Sequence, residues 1–141
     1  MVTELETLGR TIKEVQYRHH RAMDARLAAA GTTLAQWDAL RAIGRTPGAS
    51  AHALATATFQ SDQAFGTLAN RLAAQGLIER IPGRGRRIEH RLTPAGQATL
   101  DAGRPHSKAM LERSFAALTE PERATLLALL ARVAPPDLAS L

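Results

Sequence analysis

The stretch from residue 61 to residue 92 decides the fold, and it reads SDQAFGTLANRLAAQGLIERIPGRGRRIEHRL. Its first half predicts a helix that begins near Gln60 or Ser61 and stops at Gly76. The side chains that this helix turns inward are Phe65, Leu68, Ala69 and Leu72. The second half predicts two short strands, Leu77–Ile81 and Ile88–Leu92, because apolar residues recur there between turn signals. A helix therefore leads directly into a β-hairpin.

Two further helical patterns precede this stretch. Thr33 is a suitable N-cap for the first, which ends at the turn Thr46–Gly48. Its apolar residues are Leu34, Trp37, Ala39, Leu40 and Ile43, of which the tryptophan is most simply a core anchor. Ser50 is a suitable N-cap for the second pattern, a short helix over Ala51–Ala57. This short helix, a tight turn and the helix from residue 61 predict a helix-turn-helix.

The turn of the hairpin, Pro82–Arg87, is rich in glycine and strongly basic. Residues 80–91 contain five Arg and one Glu, which is a local charge of +4. A basic hairpin is often only a solvated loop. Placed immediately after a helix-turn-helix, it favours DNA binding instead.

The two ends of the chain carry apolar stripes. A long first helix, stopped by Gly31, has a stripe with heptad-like spacing formed by Leu5, Leu8, Ile12, Val15, His19, Met23, Leu27 and Ala30. Thr93–Pro94 starts a fifth helix, which Pro105 is predicted to kink or break before a stripe of Met110, Leu111, Phe115 and Leu118. The capping box Thr119–Glu122 opens a sixth helix that continues to Pro135–Pro136. We expect these three helices to pack together and against a second chain.

Composition sets the class of protein. The chain has 141 residues, a net charge of +5, 28 Ala and 19 Leu, which predicts one mainly helical domain. It has no cysteine, so thiolate metal sites, disulfides, thiol redox sensing and cysteine nucleophiles are excluded. The acidic start does not resemble a secretory signal, and the longest apolar segment is far shorter than the about 20 residues of a membrane span. We expect a cytoplasmic protein that does not bind membranes.

Catalytic and metal-binding motifs are missing from the sequence. It has no glycine-rich phosphate loop, nucleophile elbow or paired metal ligands, so we predict neither an enzyme nor a cofactor. Adjacent helical residues diverge by about 100°, so His19 and His20 cannot readily share one ion within a chain. The other histidines are His52, His90 and His106, and we predict no metal site.

Three stretches resemble the MarR family of winged helix-turn-helix transcription regulators. They are Leu34–Leu40 (LAQWDAL), Leu68–Arg80 (LANRLAAQGLIER), and Arg86–Arg87 followed by Leu92–Gly96 (LTPAG). The resemblance implies six helices with a β-hairpin wing. It also implies a homodimer whose dimerisation lobe is formed by residues 1–32 and 94–141 and whose DNA-binding lobe is residues 33–93. The expected partner is double-stranded DNA with a near-palindromic operator.

The resemblance also places the DNA contacts. The fourth helix would enter the major groove, and the wing would reach the adjacent minor groove or backbone. The residues that it assigns to DNA binding are Ser50, His52, Ser61, Asp62, Gln63, Ala64, Gly66, Thr67, Arg84, Arg86 and Arg87. Among them Gln63 suits adenine, Ala64 suits a thymine methyl group and the three arginines suit phosphates. Arg84 departs from the family pattern, which has Asp there, so an ion pair that stiffens the wing is missing.

Members of the family commonly release DNA when a small, often aromatic, ligand binds between the two lobes. The corresponding residues here are His19, His20, Met23, Trp37, Arg41 and Met110. Two functions remain open at this point. One is a sequence-specific regulator, usually a repressor in this family. The other is a non-specific architectural DNA-binding protein, which the zero net charge of residues 60–74 supports.

Overall fold

The computed structural model describes residues 1–133. Within this range it contains six helices and one hairpin, as predicted. The elements are α1 (Glu4–Ala28), α2 (Leu34–Arg45), α3 (Ala51–Ala57), α4 (Asp62–Ala74), β1 (Ile78–Pro82), β2 (Ile88–Leu92), α5 (Pro94–Ser114) and α6 (Glu120–Arg132). The predicted stop at Pro135–Pro136 lies outside the described residues.

Each helix begins at a Ser or Thr whose side-chain oxygen accepts a hydrogen bond from the helix backbone. The six N-caps are Thr3, Thr33, Ser50, Ser61, Thr93 and Thr119. Thr119 and Glu122 form the predicted capping box, and hydrogen bonds from Thr119 lower the pKa of Glu122. Thr3 and Glu6 form a second capping box that the sequence reasoning did not identify. These local signals explain why most helix starts were predicted to within a residue.

The strands β1 and β2 form an antiparallel hairpin, which we call the wing. Its register pairs Ile78 with Leu92 and Pro82 with Ile88. The backbone of Ala49, in the loop before α3, pairs with His90 of β2. This bridge attaches the wing to the helical part of the chain.

One hydrophobic core contains residues from each of the five helices α1 through α5 and from the start of β1. Its largest fully buried side chains are Phe65, Leu27, Leu40, Ile43, Leu54, Leu72 and Leu100. The predicted inward faces of α2 and α4 all lie in it. Two glycines of α5 permit close packing: a Cβ on Gly96 would clash with the Leu77 carbonyl oxygen, and one on Gly103 would clash with Trp37 Nε1.

The predicted interruption at Pro105 does not end the helix, because α5 runs through it without a break. Proline has no N–H group, so the carbonyl of residue 101 loses the one helical hydrogen bond that it would otherwise accept. Pro105 is exposed, so water can reach that carbonyl. A single lost bond on the solvent side is therefore tolerated in a helix of 21 residues.

The terminal stripes are only partly covered within one chain. In α1, Met23 and Leu27 are buried, whereas Leu5, Leu8, Ile12 and Val15 are exposed, as is Ala30 beyond the helix end. In α6 no residue is buried, and Leu127, Leu129, Leu130 and Val133 are exposed. α1 packs against α5, but α6 has no extensive contact with either. Within one chain the apolar residues of α6 are therefore left uncovered, and the expectation that all three helices pack together and against a second chain stays a prediction. No helix within residues 1–133 has the length and apolar character needed to cross a membrane.

Candidate nucleic-acid interface

The outer face of α4 is open at its first turns. Phe65, Leu68, Ala69 and Leu72 are buried behind it, and the residues in front are free of packing. Ser61, Asp62, Gln63, Ala64 and Thr67 are exposed, and Gly66 is half-exposed. A Cβ added at Gly66 would meet nothing within 4 Å. The structure therefore brings the predicted α4 residues onto one accessible face.

The hydroxyl groups on this face already have local hydrogen bonds. Ser61 Oγ accepts from the Ala64 backbone at 3.1 Å, and Thr67 Oγ1 donates to the Gln63 carbonyl at 3.2 Å. Ser50 Oγ accepts from the Ala53 backbone at 3.3 Å. Ser50 and Ser61 thus act as N-caps of α3 and α4 in the unbound chain.

His52 and Asp62 contact each other across the helix-turn-helix. His52 Nδ1 lies 3.0 Å from Asp62 Oδ1 and 3.2 Å from Oδ2. The sequence reasoning assigned both residues to DNA but did not anticipate this pair, because ten residues and a turn separate them.

The three wing arginines have different surroundings. Arg87 Nη2 donates a hydrogen bond to the Gly48 carbonyl at 3.2 Å, which ties the wing to the loop before α3. Arg84 and Arg86 are exposed, and within residues 1–133 neither side chain has a hydrogen-bonding or ionic partner. Two of the three predicted arginines are therefore free to meet an anionic surface.

Two residues that position the wing were not identified from sequence. Arg80 Nη1 of β1 donates to Asn70 Oδ1 of α4 at 2.6 Å. His90 is 2% exposed, and its Nδ1 donates to the Ala49 carbonyl at 3.0 Å. The His90 ring also lies edge-on to Phe65 at 6.1 Å between ring centroids. These contacts are long-range and have no local sequence pattern.

The predicted ligand residues surround the junction of α1, α2 and α5. Trp37 and Met23 are buried in the core, and Trp37 Nε1 donates to the Leu100 carbonyl at 3.0 Å. Arg41 stacks over the Trp37 ring at 5.2 Å. His19 is hydrogen-bonded to Ser114 and lies edge-on to Phe115, while Met110 packs against the core. Met23 and Trp37 thus support this junction from within the core.

Charged groups cluster at the same junction. His20 Nε2 lies 3.2 Å from Asp24 Oδ2, and Arg41 Nη2 lies 3.3 Å from Asp38 Oδ1. Burial raises the pKa of the Asp38 carboxyl, although the charges of Arg41, His20 and Arg45 lower it in part. The other oxygen of Asp24 accepts from the Leu34 backbone at 2.7 Å, which ties α1 to the start of α2.

Grooves also lie beside α6. One of about 420 Å³ is lined by Leu118, Pro121, Glu122, Thr125, Leu126 and Leu129. Across the part of the chain that is described, no three His, Asp or Glu side chains converge as metal ligands would.

The chain is similar to known transcription regulators in sequence and in fold. Residues 30–88 match the family model described as MarR family. Among curated proteins none matches. A probable transcriptional regulator from Pseudomonas aeruginosa is 31% identical, with a TM-score of 0.78 over 89% of this chain and 96% of that one.

Two further solved structures add a nucleic-acid complex and a ligand complex. A mutant MarR from E. coli, complexed with operator DNA, is 26% identical with a TM-score of 0.86 over 94% of this chain and 96% of that one. A Mycobacterium tuberculosis MarR family protein, in complex with salicylic acid, is 26% identical with a TM-score of 0.72 over 90% and 96%. The family model, the helix-turn-helix with its wing and the agreement over nearly the whole length lead to one conclusion: the chain belongs to the MarR family of transcriptional regulators.

Proposed function

We propose that this regulator is a homodimeric, sequence-specific repressor that binds a near-palindromic operator in the cytoplasm. The observation that carries the proposal is the open face of α4 beside a wing with two unpaired arginines. Residues 33–93 form the DNA-binding lobe in this proposal. Residues 1–32 and 94–141 form the dimerisation lobe.

The chemistry of the α4 face supports base recognition. Gln63 is exposed and can form paired hydrogen bonds with adenine, and Ala64 offers a methyl group to thymine. Arg84 and Arg86 supply the phosphate contacts that a helix with no net charge lacks. The E. coli MarR that is complexed with operator DNA supports DNA as the partner by analogy.

The open apolar faces of α1 and α6 support the dimer. Leu5 is 80% exposed and Leu127 71%, and large contiguous apolar surfaces on a single chain mark interfaces. A two-fold dimer presents two α4 helices, which is why we propose an operator with two related half-sites about one helical turn apart.

We also propose that a small aromatic ligand binds between the lobes and releases DNA. Arg41 is a cation stacked on Trp37, and His19 and His20 lie on the neighbouring helix. The M. tuberculosis family member in complex with salicylic acid supports an aromatic acid as the class. Such a ligand acts by favouring dimers whose α4 helices no longer match the half-site spacing.

The test is selection of duplexes from genomic fragments at physiological salt, followed by sequencing, because DNA affinity depends on salt. A near-palindrome lost in a Gln63→Ala variant would support sequence-specific binding by α4. Binding with no enriched motif would instead support the architectural alternative, since such proteins discriminate little between sequences. The control is Gln97→Ala on α5, an exposed glutamine away from α4.

A further inference from the structure

The contact between His52 and Asp62 joins the two helices of the helix-turn-helix. His52 is the second residue of α3, and Asp62 is the first residue of α4. Their side chains are 79% and 69% exposed, yet Nδ1 lies within 3.2 Å of both carboxylate oxygens. Exposed pairs contribute little to stability, so the pair is not explained by folding alone.

Asp62 is unfavourable for DNA binding when it is considered alone. It is the acidic residue of α4 and lies in the first turn, where the helix dipole would otherwise attract a phosphate. An uncompensated carboxylate at that position repels the DNA backbone. A positive charge on His52 would cancel this repulsion.

The surroundings of His52 leave Asp62 as its ionic partner among the described residues. α3 contains no other ionisable side chain. The elements packed against it are α2, α4 and β2, whose ionisable groups are Asp38, Arg41, Arg45, Asp62, Arg71, Glu89, His90 and Arg91. Asp38 pairs with Arg41, Glu89 pairs with Arg91, and His90 is buried against Ala49.

The hydrogen-bonding pattern determines what the imidazole can offer to DNA. An ionised carboxylate only accepts, so the proton of this contact is on Nδ1. In a neutral ring Nε2 is then an acceptor and cannot donate to a phosphate. In the imidazolium Nε2 also carries a proton and can donate. In a helix-turn-helix the first helix crosses the DNA backbone, and His52 lies on that first helix, α3.

We propose that Asp62 is a positioning residue that holds His52 as an imidazolium against a DNA phosphate, so that DNA binding takes up one proton per subunit. The inference rests on the proposed DNA binding. The proton comes from solvent and goes to Nε2, so that the ring then lies between the Asp62 carboxylate and the phosphate. Because only the imidazolium can donate from Nε2, affinity falls as the pH rises and the ring loses that proton.

The experiment measures the dissociation constant at constant ionic strength from about pH 6 to about pH 8.5, a range that spans imidazole titration. Fluorescence anisotropy with a pH-insensitive dye is suitable. The probe is the duplex recovered by selection, or a mixed-sequence duplex if no motif emerges. The proteins are the wild type, His52→Gln, Asp62→Asn and, as a matched histidine control, His106→Gln on α5.

For the wild type we expect about a tenfold loss of affinity per subunit across the range, the effect of one charge-assisted hydrogen bond. His52→Gln should bind weakly with a flat pH profile. Asp62→Asn should also flatten the profile but bind more tightly than the wild type at high pH, because the repulsion is gone. His106→Gln should keep the wild-type profile. At high pH His52→Gln should bind as the wild type does, while Asp62→Asn binds more tightly, and a purely structural role for the pair would not separate the two variants in this way.

Two results overturn the inference while leaving DNA binding intact: a wild-type profile that is flat, or a His52→Gln profile that falls as the wild type does. Loss of DNA binding by the wild type at every pH would instead overturn the proposed function itself. The two failures are therefore distinguishable.

Discussion

Phe59 has a backbone conformation that residues with a Cβ rarely adopt. It lies in the turn between α3 and α4 with φ of 58°, the left-handed region, and its side chain is 98% exposed. A residue with a Cβ is disfavoured there, whereas glycine adopts this conformation freely. The tight turn that orients α4 thus imposes a conformational cost at this position.

We expect Phe59→Gly to raise the free energy of unfolding by about 1 kcal/mol, because it relieves the left-handed backbone and removes no buried contact. Urea denaturation at fixed protein concentration measures the change. Phe59→Ala is the control, since it removes the ring but keeps the Cβ, and it should stay within about 0.5 kcal/mol of the wild type. Equal gains in both variants would contradict the explanation.

Two helical glycines should respond to alanine with opposite signs. Gly66 has open space around it, so Gly66→Ala should stabilise the protein by about 0.5 to 1 kcal/mol through helix propensity. Gly103 lies against Trp37, which is 3% exposed and held by its bond to Leu100, so Gly103→Ala should destabilise by about 1 to 3 kcal/mol. Thermal unfolding of both variants provides the comparison. A stabilising Gly103→Ala would mean that Trp37 is free to move.

Asp38 should give the folded protein a distinctive pH dependence. Its pKa in the folded chain is raised above its ordinary 3.8 by burial, so the native state holds the proton to higher pH than the unfolded state does. The contribution of this group to stability is therefore present in acid and is lost as the pH rises above that ordinary value. The free energy of unfolding of the wild type minus that of Asp38→Asn should decrease as the pH rises through and above 3.8. Urea unfolding across this range tests the sign, and a difference that grows with pH would refute it.

At the scale of elements, the wing is attached at three points. Arg80 bonds to Asn70, Arg87 bonds to Gly48, and the His90 backbone pairs with Ala49. Arg84 and Arg86 are beyond these attachments, at the tip. The wing therefore combines a held base with a tip that is free to bind.

Alanine at the tip and at the base of the wing should separate these two roles. Arg84→Ala and Arg86→Ala should leave stability unchanged and reduce the salt slope of DNA affinity by about 1 per subunit. Arg87→Ala should lower the free energy of unfolding by about 0.5 to 1 kcal/mol, because one hydrogen bond is lost. Urea unfolding and affinity titrations at several salt concentrations distinguish the variants. An unchanged slope in Arg86→Ala would rule out the tip as a phosphate contact.

Elements with local signals were predictable from sequence, and their attachments were not. Capping residues and Gly76 placed α4 to within about two residues, and turn residues placed both strands. The Arg80–Asn70 and Arg87–Gly48 bonds join residues far apart in sequence, so no spacing rule reveals them. The helix α5 continues through Pro105 because solvent reaches the carbonyl that lacks its helical partner. Hydrophobic periodicity contains no information on this solvent access.

At the scale of the whole molecule, α6 is a helix whose apolar side chains remain uncovered in a single chain. Leu126 and Leu130 lie one turn apart on α6, and Leu130 is 44% exposed, while Val133, just beyond the helix, is 53% exposed. A second chain is the partner that the proposed dimer provides.

We expect Leu130→Glu to weaken the dimer by at least about 100-fold, because it removes a leucine that the proposed dimer would bury and places a charge in the interface of each subunit. Ala128→Glu, on the opposite face of α6, is the matched control and should remain dimeric. Sedimentation velocity at micromolar concentration measures both. A wild type that sediments as a folded monomer of 15.1 kDa would remove the basis of the proposal.

The helix-turn-helix, the wing and the family could be recognised from the sequence, because N-caps, glycine stops, hydrophobic periodicity and a basic turn are all local properties. The exposed residues of α4 could be predicted as well, since the side opposite a periodic apolar face must be open. The pairing of charged side chains became clear only in the folded chain: Asp62 contacts His52, Arg80 contacts Asn70, and Arg87 contacts the Gly48 carbonyl. These contacts depend on how elements pack in space, and packing is a property of the whole chain and not of any short segment.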